Sequence, residues 1–332
     1  MSDKKPPGVR RLLLVGVAIL ALSPLRQVYA QTPASLGPPT NDAFFTPRSH
    51  QFDLEIANNF MVDDGSSVVR RREGSINGSA LHLKGDLGLD TFQMPTLHLD
   101  FWFDELNALE FQFRYLALYG SQALGTPVRF NGDTILPGQS INTHGTTWFT
   151  GGLFYQRRIS PWLYQYASAN LPEWLQKWEL RPKIGLEFVY LDFQINNGQP
   201  NRVGAGRSSA ASSPVALDAR GRWHDQELPV PTLGLDARRE LADHFDLEIT
   251  AQGAWINKWN SLRTQGGTVY LSQSTFETHW RIIFNDPARC WGIRPFLGWS
   301  YYYYKQAETS GGIGNLIRLQ SYGPELGASY SF

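Results

Sequence analysis

From His50 onward, apolar and polar residues alternate with a period of two. That is the pattern of strands whose successive side chains point to opposite faces. Phe52, Leu54, Ile56 and Phe60 alternate with Asp53, Glu55 and Asn59. Leu97, Leu99, Phe101 and Phe103 do so with His98, Asp100 and Trp102, and beyond a tight turn Leu109, Phe111, Phe113 and Tyr115 oppose Glu110, Gln112 and Arg114. In the second half, Ile184, Leu186, Phe188 and Tyr190 run against Lys183, Gly185 and Glu187, and Phe245, Leu247, Ile249 and Ala251 against Asp246, Glu248, Thr250 and Gln252. Phe276, Trp280, Ile282 and Phe284 alternate with Glu277, His279 and Arg281, and Leu326, Ala328, Tyr330 and Phe332 with Glu325, Gly327, Ser329 and Ser331.

Strands of this length, almost without helix signals, predict an all-β fold: an antiparallel transmembrane β-barrel. Short connections (Asp104–Asn107, Ala242–His244, Asn285–Gly292) alternate with long ones near 62–75, 120–143, 196–228, 257–268 and 306–315. Short periplasmic turns and long external loops have this rhythm. Ten strands follow, near 50–61, 95–103, 108–119, 144–158, 179–195, 228–241, 244–256, 269–285, 292–305 and 317–332. Leu81, Leu83, Leu87 and Leu89 also alternate, against His82, Lys84, Asp86 and Asp90. An eleventh strand there would break parity, so 76–90 is expected to extend the 95–103 strand above the membrane, broken around Pro95. Twelve strands with a differently placed hairpin is the alternative.

Composition changes the picture at the N-terminus. Lys4, Lys5, Arg10 and Arg11 precede the apolar or small-residue run Leu12–Leu22, and Val28-Tyr29-Ala30 supplies small residues for a signal peptidase. Residues 1–30 are therefore expected to be a cleaved secretory signal, 31–47 a Pro-rich periplasmic tail and 48–332 the barrel. Removing 1–30 takes five basic residues and one acid from a chain of 30 Lys+Arg and 30 Asp+Glu, leaving 25 against 29 and a net charge of −4. Nucleic acid is excluded as a partner on that balance. Mean hydropathy is −0.31. Barrels hide from that average, because only every second residue faces lipid. Cys290 is the single cysteine, so no disulfide forms within the chain.

The last strand, with its alternation closing on Phe332, resembles the final strand of Gram-negative outer-membrane β-barrels. That resemblance implies an outer-membrane location and recognition of Phe332 by the barrel-assembly machinery. Aromatic residues suit two interfacial girdles: Phe101, Trp102, Phe103, Phe245, Tyr330 and Phe332 at the periplasmic ends, Trp255, Trp299 and Tyr301–Tyr304 at the external ends. Residues 160–178, with three tryptophans, Lys177 and Glu173, predict a short amphipathic segment at the interface.

Candidate chemistry is sparse. Outer-membrane phospholipases and lipid A deacylases carry a His-x-Ser pair, and none of the seven histidines here has a Ser two residues on. There is no G-x-S-x-G elbow, H-E-x-x-H or P-loop. The polar faces instead predict a lumen crossed by ion pairs, built from Glu110, Arg114, Lys183, Glu187, Arg238, Glu248, Glu277, Arg281, Arg294 and Glu325. In a ten-strand barrel, side chains of this length largely fill the interior. No catalytic, cofactor or metal residue is assigned. Arg70, Arg71, Arg72, Arg202, Arg207, Arg220 and Arg222 are candidates for lipopolysaccharide phosphates. The expected function is a narrow or closed pore, or a structural or surface-binding barrel in outer-membrane lipid. A porin-like solute channel is the alternative, and a lipid-modifying enzyme is disfavoured.

Overall fold

The computed structural model describes residues 52–332 apart from 71, 74–75, 131–132, 145, 168–171, 173, 175–176, 198–221, 227–228, 261–269, 287–289 and 311–312. The expected signal segment and Pro-rich tail lie outside these residues.

Ten long strands form an up-and-down antiparallel barrel. They are β1 (Phe52–Asp63), β2 (Thr91–Trp102), β3 (Asn107–Leu116), β4 (Thr147–Arg157), β5 (Glu179–Gln194), β6 (Val230–Ala242), β7 (Phe245–Asn260), β8 (Tyr270–Phe284), β9 (Ile293–Ser310) and β10 (Ile313–Ser331). Each pairs with its neighbours in sequence, and β1 pairs with β10 from Asp53↔Ser331 to Asp63↔Ser321. That last pairing closes the barrel and leaves no open edge for lipid to meet.

The period-two pattern sets the register. On β7, Asp246, Glu248, Thr250 and Gln252 are buried inside, while Phe245 and Trp255 are exposed outside. A one-residue slip on any strand would carry its charges into the hydrocarbon. At one end the connections are short. The β2–β3 turn is held by the Asp104 carboxylate, which accepts from the Leu106 and Asn107 backbone N–H groups, each at 2.8 Å. A register shift at Glu240/Ala242 precedes the β6–β7 turn. The β4–β5 connection carries a helix, α2 (Ser160–Ala167), whose Trp162 is exposed, as is Trp174 beyond it.

Two expectations are corrected at the other end. Residues 76–90 do not extend β2. Pro95 lies within the β1–β2 ladder opposite Asn58, and β2 begins only at Thr91. Upstream, Leu81–His82 pairs with Val68–Val69, which in turn pairs with β10, and Leu83–Leu87 forms a one-turn helix, α1. Positions i and i+4 share a helix face, so Leu83 and Leu87 fit both a strand and a helix reading. The Asp86 carboxylate accepts from the His82 N–H at 2.8 Å, and Gly88 closes the turn in the left-handed region at φ 65°. The second correction is at 306–315, which is no long loop. β9 and β10 continue pairing up to Ser310↔Ile313. At 18 and 19 residues these strands exceed the roughly 9–11 needed to cross a membrane, so their hairpin projects beyond it.

Candidate functional site: the barrel interior

The interior has two storeys of opposite chemistry. The storey nearer the short turns is ionic. Arg114, 1% exposed, pairs with Glu277 and with Glu187 at 3.7 Å, and donates to Gln112 Oε1 at 2.7 Å. Gln112 donates in turn to Glu110. Lys183 bridges Glu110 at 3.2 Å and Asp236 at 3.3 Å. Arg281 meets four carboxylate oxygens. It contacts both oxygens of Glu325, at 2.6 and 3.0 Å, Glu55 at 2.8 Å and Glu248 at 3.3 Å. His279 lies between Glu325, 2.9 Å from its Nδ1, and Glu277, 3.4 Å from its Nε2. Arg181 carries the chain from Glu248 to Glu179, and Arg158 closes it on Glu179 at 3.1 Å.

These contacts link opposite walls. Arg114 on β3 reaches Glu277 on β8, and Gln112 exchanges hydrogen bonds with Gln252 on β7. Charges taken out of water are tolerated only when paired, and Arg114, Lys183 and Arg281 each meet at least two carboxylates. Among these charges lies a cavity of about 60 Å³, room for a few waters. It is lined by Asp53, Glu55, His98, Asp100, Glu110, Asp236 and Glu248 and, among the cations, by Arg181, Lys183, Arg238, Arg281 and Arg294.

The storey nearer the long loops is apolar. Met61, Leu116, Trp148, Leu191, Phe193, Tyr304 and Leu319 from the strands enclose Val69, Leu81, Leu83, Leu87 and Leu89 from the connection between β1 and β2, all at most 1% exposed. The connection between β3 and β4 adds Leu118, Phe130 and Ile141, each fully buried. Trp148 and Tyr304 meet edge-to-face at 4.9 Å. The β1–β2 connection is tied to β10, because Arg318 Nε donates to the Ser66 carbonyl at 2.8 Å and the Gln320 N–H to Ser67 Oγ at 2.9 Å. It therefore sits in the mouth as an apolar plug.

The ten charges singled out in the sequence all sit in the lumen. The structure brings Arg114 to Glu187 and Glu277, Lys183 to Glu110, and Arg281 to Glu248 and Glu325. Among the described residues, Arg238 and Arg294 pair instead with carboxylates outside the ten. Arg238 pairs with Asp246, its Nε 3.2 Å away, and Arg294 with Asp53 at 3.4 Å. Arg181, Arg158, Gln112 and Gln252 belong to the network and were not among the ten. Parity with Lys183 marks Arg181 as inward-facing, whereas Arg158 lies past the end of β4 and has no alternation to reveal it. Of the basic loop candidates, Arg70 is half-buried beside β10. Arg71, Arg202, Arg207 and Arg220, and the side chains of Arg72 and Arg222, lie outside the described residues.

The exterior decides the class. Ile184, Leu186, Leu233, Trp280, Ile282, Leu297 and Leu326 all stand at least half exposed, while the charges are inside. A protein surrounded by water has the reverse arrangement, and among the described residues no helix is long and apolar enough to cross a membrane. The strands do the crossing. The chain is an outer-membrane β-barrel protein.

No family model and no curated protein matches this barrel's sequence. Solved structures of similar architecture include the outer membrane protease OmpT from Escherichia coli, at 10% identity over 85% of this chain and 97% of that one, with a TM-score of 0.46. The transport unit of the autotransporter AIDA-I from Escherichia coli is 8% identical over 93% of this chain and 97% of that one, with a TM-score of 0.35. The CymD monoaromatic hydrocarbon channel is 7% identical over 85% of this chain and 89% of that one, with a TM-score of 0.26. A protease, a transport unit and a channel share the barrel plan, and at these identities the likeness says nothing about the role of this outer-membrane barrel.

Proposed function

We propose that this barrel is closed along its axis and acts as a structural or surface-binding protein of the outer membrane, not as a pore or an enzyme. The carrying observation is an apolar plug seated over an ion-pair network whose charges line a cavity of only about 60 Å³. Porins of 16–18 strands leave an aqueous channel, and a ten-strand barrel filled with arginines and carboxylates lacks that space. The lumen chemistry is structural on this reading. His279 is held between two carboxylates that are themselves committed to Arg114 and Arg281, which leaves it no role as a base. Partners are then met outside the lumen: lipid around the belt, lipopolysaccharide at the long loops, and the barrel-assembly machinery at Phe332 during insertion. A liposome-swelling assay with small sugars tests the closure. Vesicles carrying the purified protein are expected to swell no faster than empty ones, and swelling that scales with protein content would overturn the proposal.

A further inference from the structure

We propose that the outer wall of the β9–β10 hairpin carries a phosphate site for lipopolysaccharide, formed by Lys305, Arg318 and Arg70 above a lipid-facing aromatic strip. On β9 the outward positions from Ile293 to Tyr303 carry no charge, and neither do those on β10 from Tyr330 back to Gln320. Each run is about ten residues, the length of strand that crosses a membrane. The next outward positions are Lys305 and Arg318, which face one another directly across the ladder. The long connections lie at this end, so the two cations mark the headgroup level of the outer leaflet. Arg70 joins them from the β1–β2 connection, because Val68 pairs with Arg318 and Arg70 with Leu316. Between these pairs, Val69 and Ile317 are fully buried, which sets Arg70 and Arg318 on the outward side of that ladder.

Residues directly opposite on a sheet face have Cβ atoms roughly 4.5–5.5 Å apart, and like charges placed so repel. Among the described residues, no carboxylate forms an ion pair with Lys305, Arg318 or Arg70. Lys305 is exposed, Arg318 commits Nε and Nη2 to the Ser66 carbonyl, and the Arg70 Nε is buried without a hydrogen-bond partner. Asp64 and Asp86, on the β1–β2 connection, turn their carboxylates back to the Ser66 and His82 N–H groups at 2.7 and 2.8 Å. A phosphate set between Lys305 and Arg318 relieves the repulsion and accepts charge-assisted hydrogen bonds from both.

The wall beneath supplies the second observation. Trp299 and Tyr322 stack on the outer face with ring centroids 6.0 Å apart, and Tyr301 and Tyr303 stand between Trp299 and Lys305 on β9. Tryptophan and tyrosine in this position mark the membrane interface. Farther down, Leu297 and Leu326 are more than half exposed, as a surface against hydrocarbon is. Cations above an aromatic and aliphatic wall match a phosphorylated glycolipid with several acyl chains. A zwitterionic phospholipid carries an ammonium beside its phosphate, which the three cations repel. The inference rests on the proposed encounter with lipopolysaccharide, for which it names the phosphate site, and it does not depend on a closed lumen.

The test refolds the full-length barrel in detergent with bis-phosphorylated lipid A, with lipid A stripped of both phosphates, or with phosphatidylethanolamine, and counts retained lipid by native mass spectrometry. One bis-phosphorylated lipid A per folded barrel is expected, with retention falling as salt rises. Lys305→Gln, Arg318→Gln and Arg70→Gln are each expected to weaken retention about tenfold, the loss of one charge-assisted contact. Heat-modifiable gel mobility confirms that each variant is a folded barrel. Arg318 also ties the plug, so should Arg318→Gln not fold, Lys305→Gln decides alone, since it breaks no ion pair or hydrogen bond among the described residues. No retained lipid A, or equal retention in wild type and Lys305→Gln, overturns the proposal. So does phosphate-free lipid A or phosphatidylethanolamine retained as well as the bis-phosphorylated form. A barrel that conducts yet retains lipid A refutes the closed lumen alone, and a silent barrel that retains none refutes this site alone.

Discussion

Replacing Arg281 with methionine tests whether the ionic storey is dry. Arg281 is 3% exposed, and its guanidinium faces Glu325, Glu55 and Glu248 at 2.6, 2.8 and 3.3 Å. Methionine keeps the unbranched apolar stem but stops short of the guanidinium, whose carbon sits 4.7 Å over the Phe296 ring. It removes the charge that three carboxylates share. Removing one partner of a buried ion pair costs about 3–5 kcal/mol, because the remaining charge is left without compensation in a medium that solvates it poorly. Glu55 and Glu248 keep His98 and Arg181 as neighbours, which places the expected loss inside that range and not above it. The assay is urea unfolding in lipid vesicles, followed by tryptophan fluorescence, of wild type, Arg281→Met, Glu325→Gln and the double variant. The double variant is expected to lose less than the sum of the two singles, since each removes the same contact. A loss under about 1 kcal/mol for Arg281→Met would place these charges in bulk water, where exposed pairs contribute that little. The closed-lumen account would then fail.

Other expectations follow from single contacts. Leu87→Ala, at a fully buried position of the plug, is expected to cost about 2–5 kcal/mol of docking free energy. Hydrogen exchange would accelerate at Leu81–Leu89 while the barrel strands stay protected, and unchanged exchange counts against the plug. Gly323→Ala places a Cβ against the Phe60 carbonyl, so the β1–β10 closure should weaken and the heat-modified gel shift should move to lower temperature. The Asn107 side-chain amide and the Leu106 N–H hold the Asp104 carboxyl below its usual 3.8. A carboxyl lowered on folding supports its turn above the unfolded value, and that support fades as pH falls through the lower folded one. Exchange at the β2–β3 turn is therefore expected to rise below about pH 4 and to lose this pH dependence in Asp104→Asn.

The barrel was legible because one rule repeats in nearly every strand. On β7, Phe245 through Gln252 alternate without a fault, and both faces and the register follow from that alone. The plug was illegible for a related reason. Leu83 and Leu87 satisfy a strand and a helix alike, and only Gly88 and the Asp86–His82 bond choose between them. Inward charges could be read one by one, but their pairing could not. That Arg114 meets Glu277, far along the chain, depends on the tilt and stagger of the closed barrel, which no local pattern encodes.

Single-channel recording in planar bilayers bears most directly on the closed interior. Purified, heat-modifiable protein is expected to give no conductance steps above baseline in molar salt across the voltage range a bilayer withstands. Large, stable steps from the wild-type barrel would contradict the account.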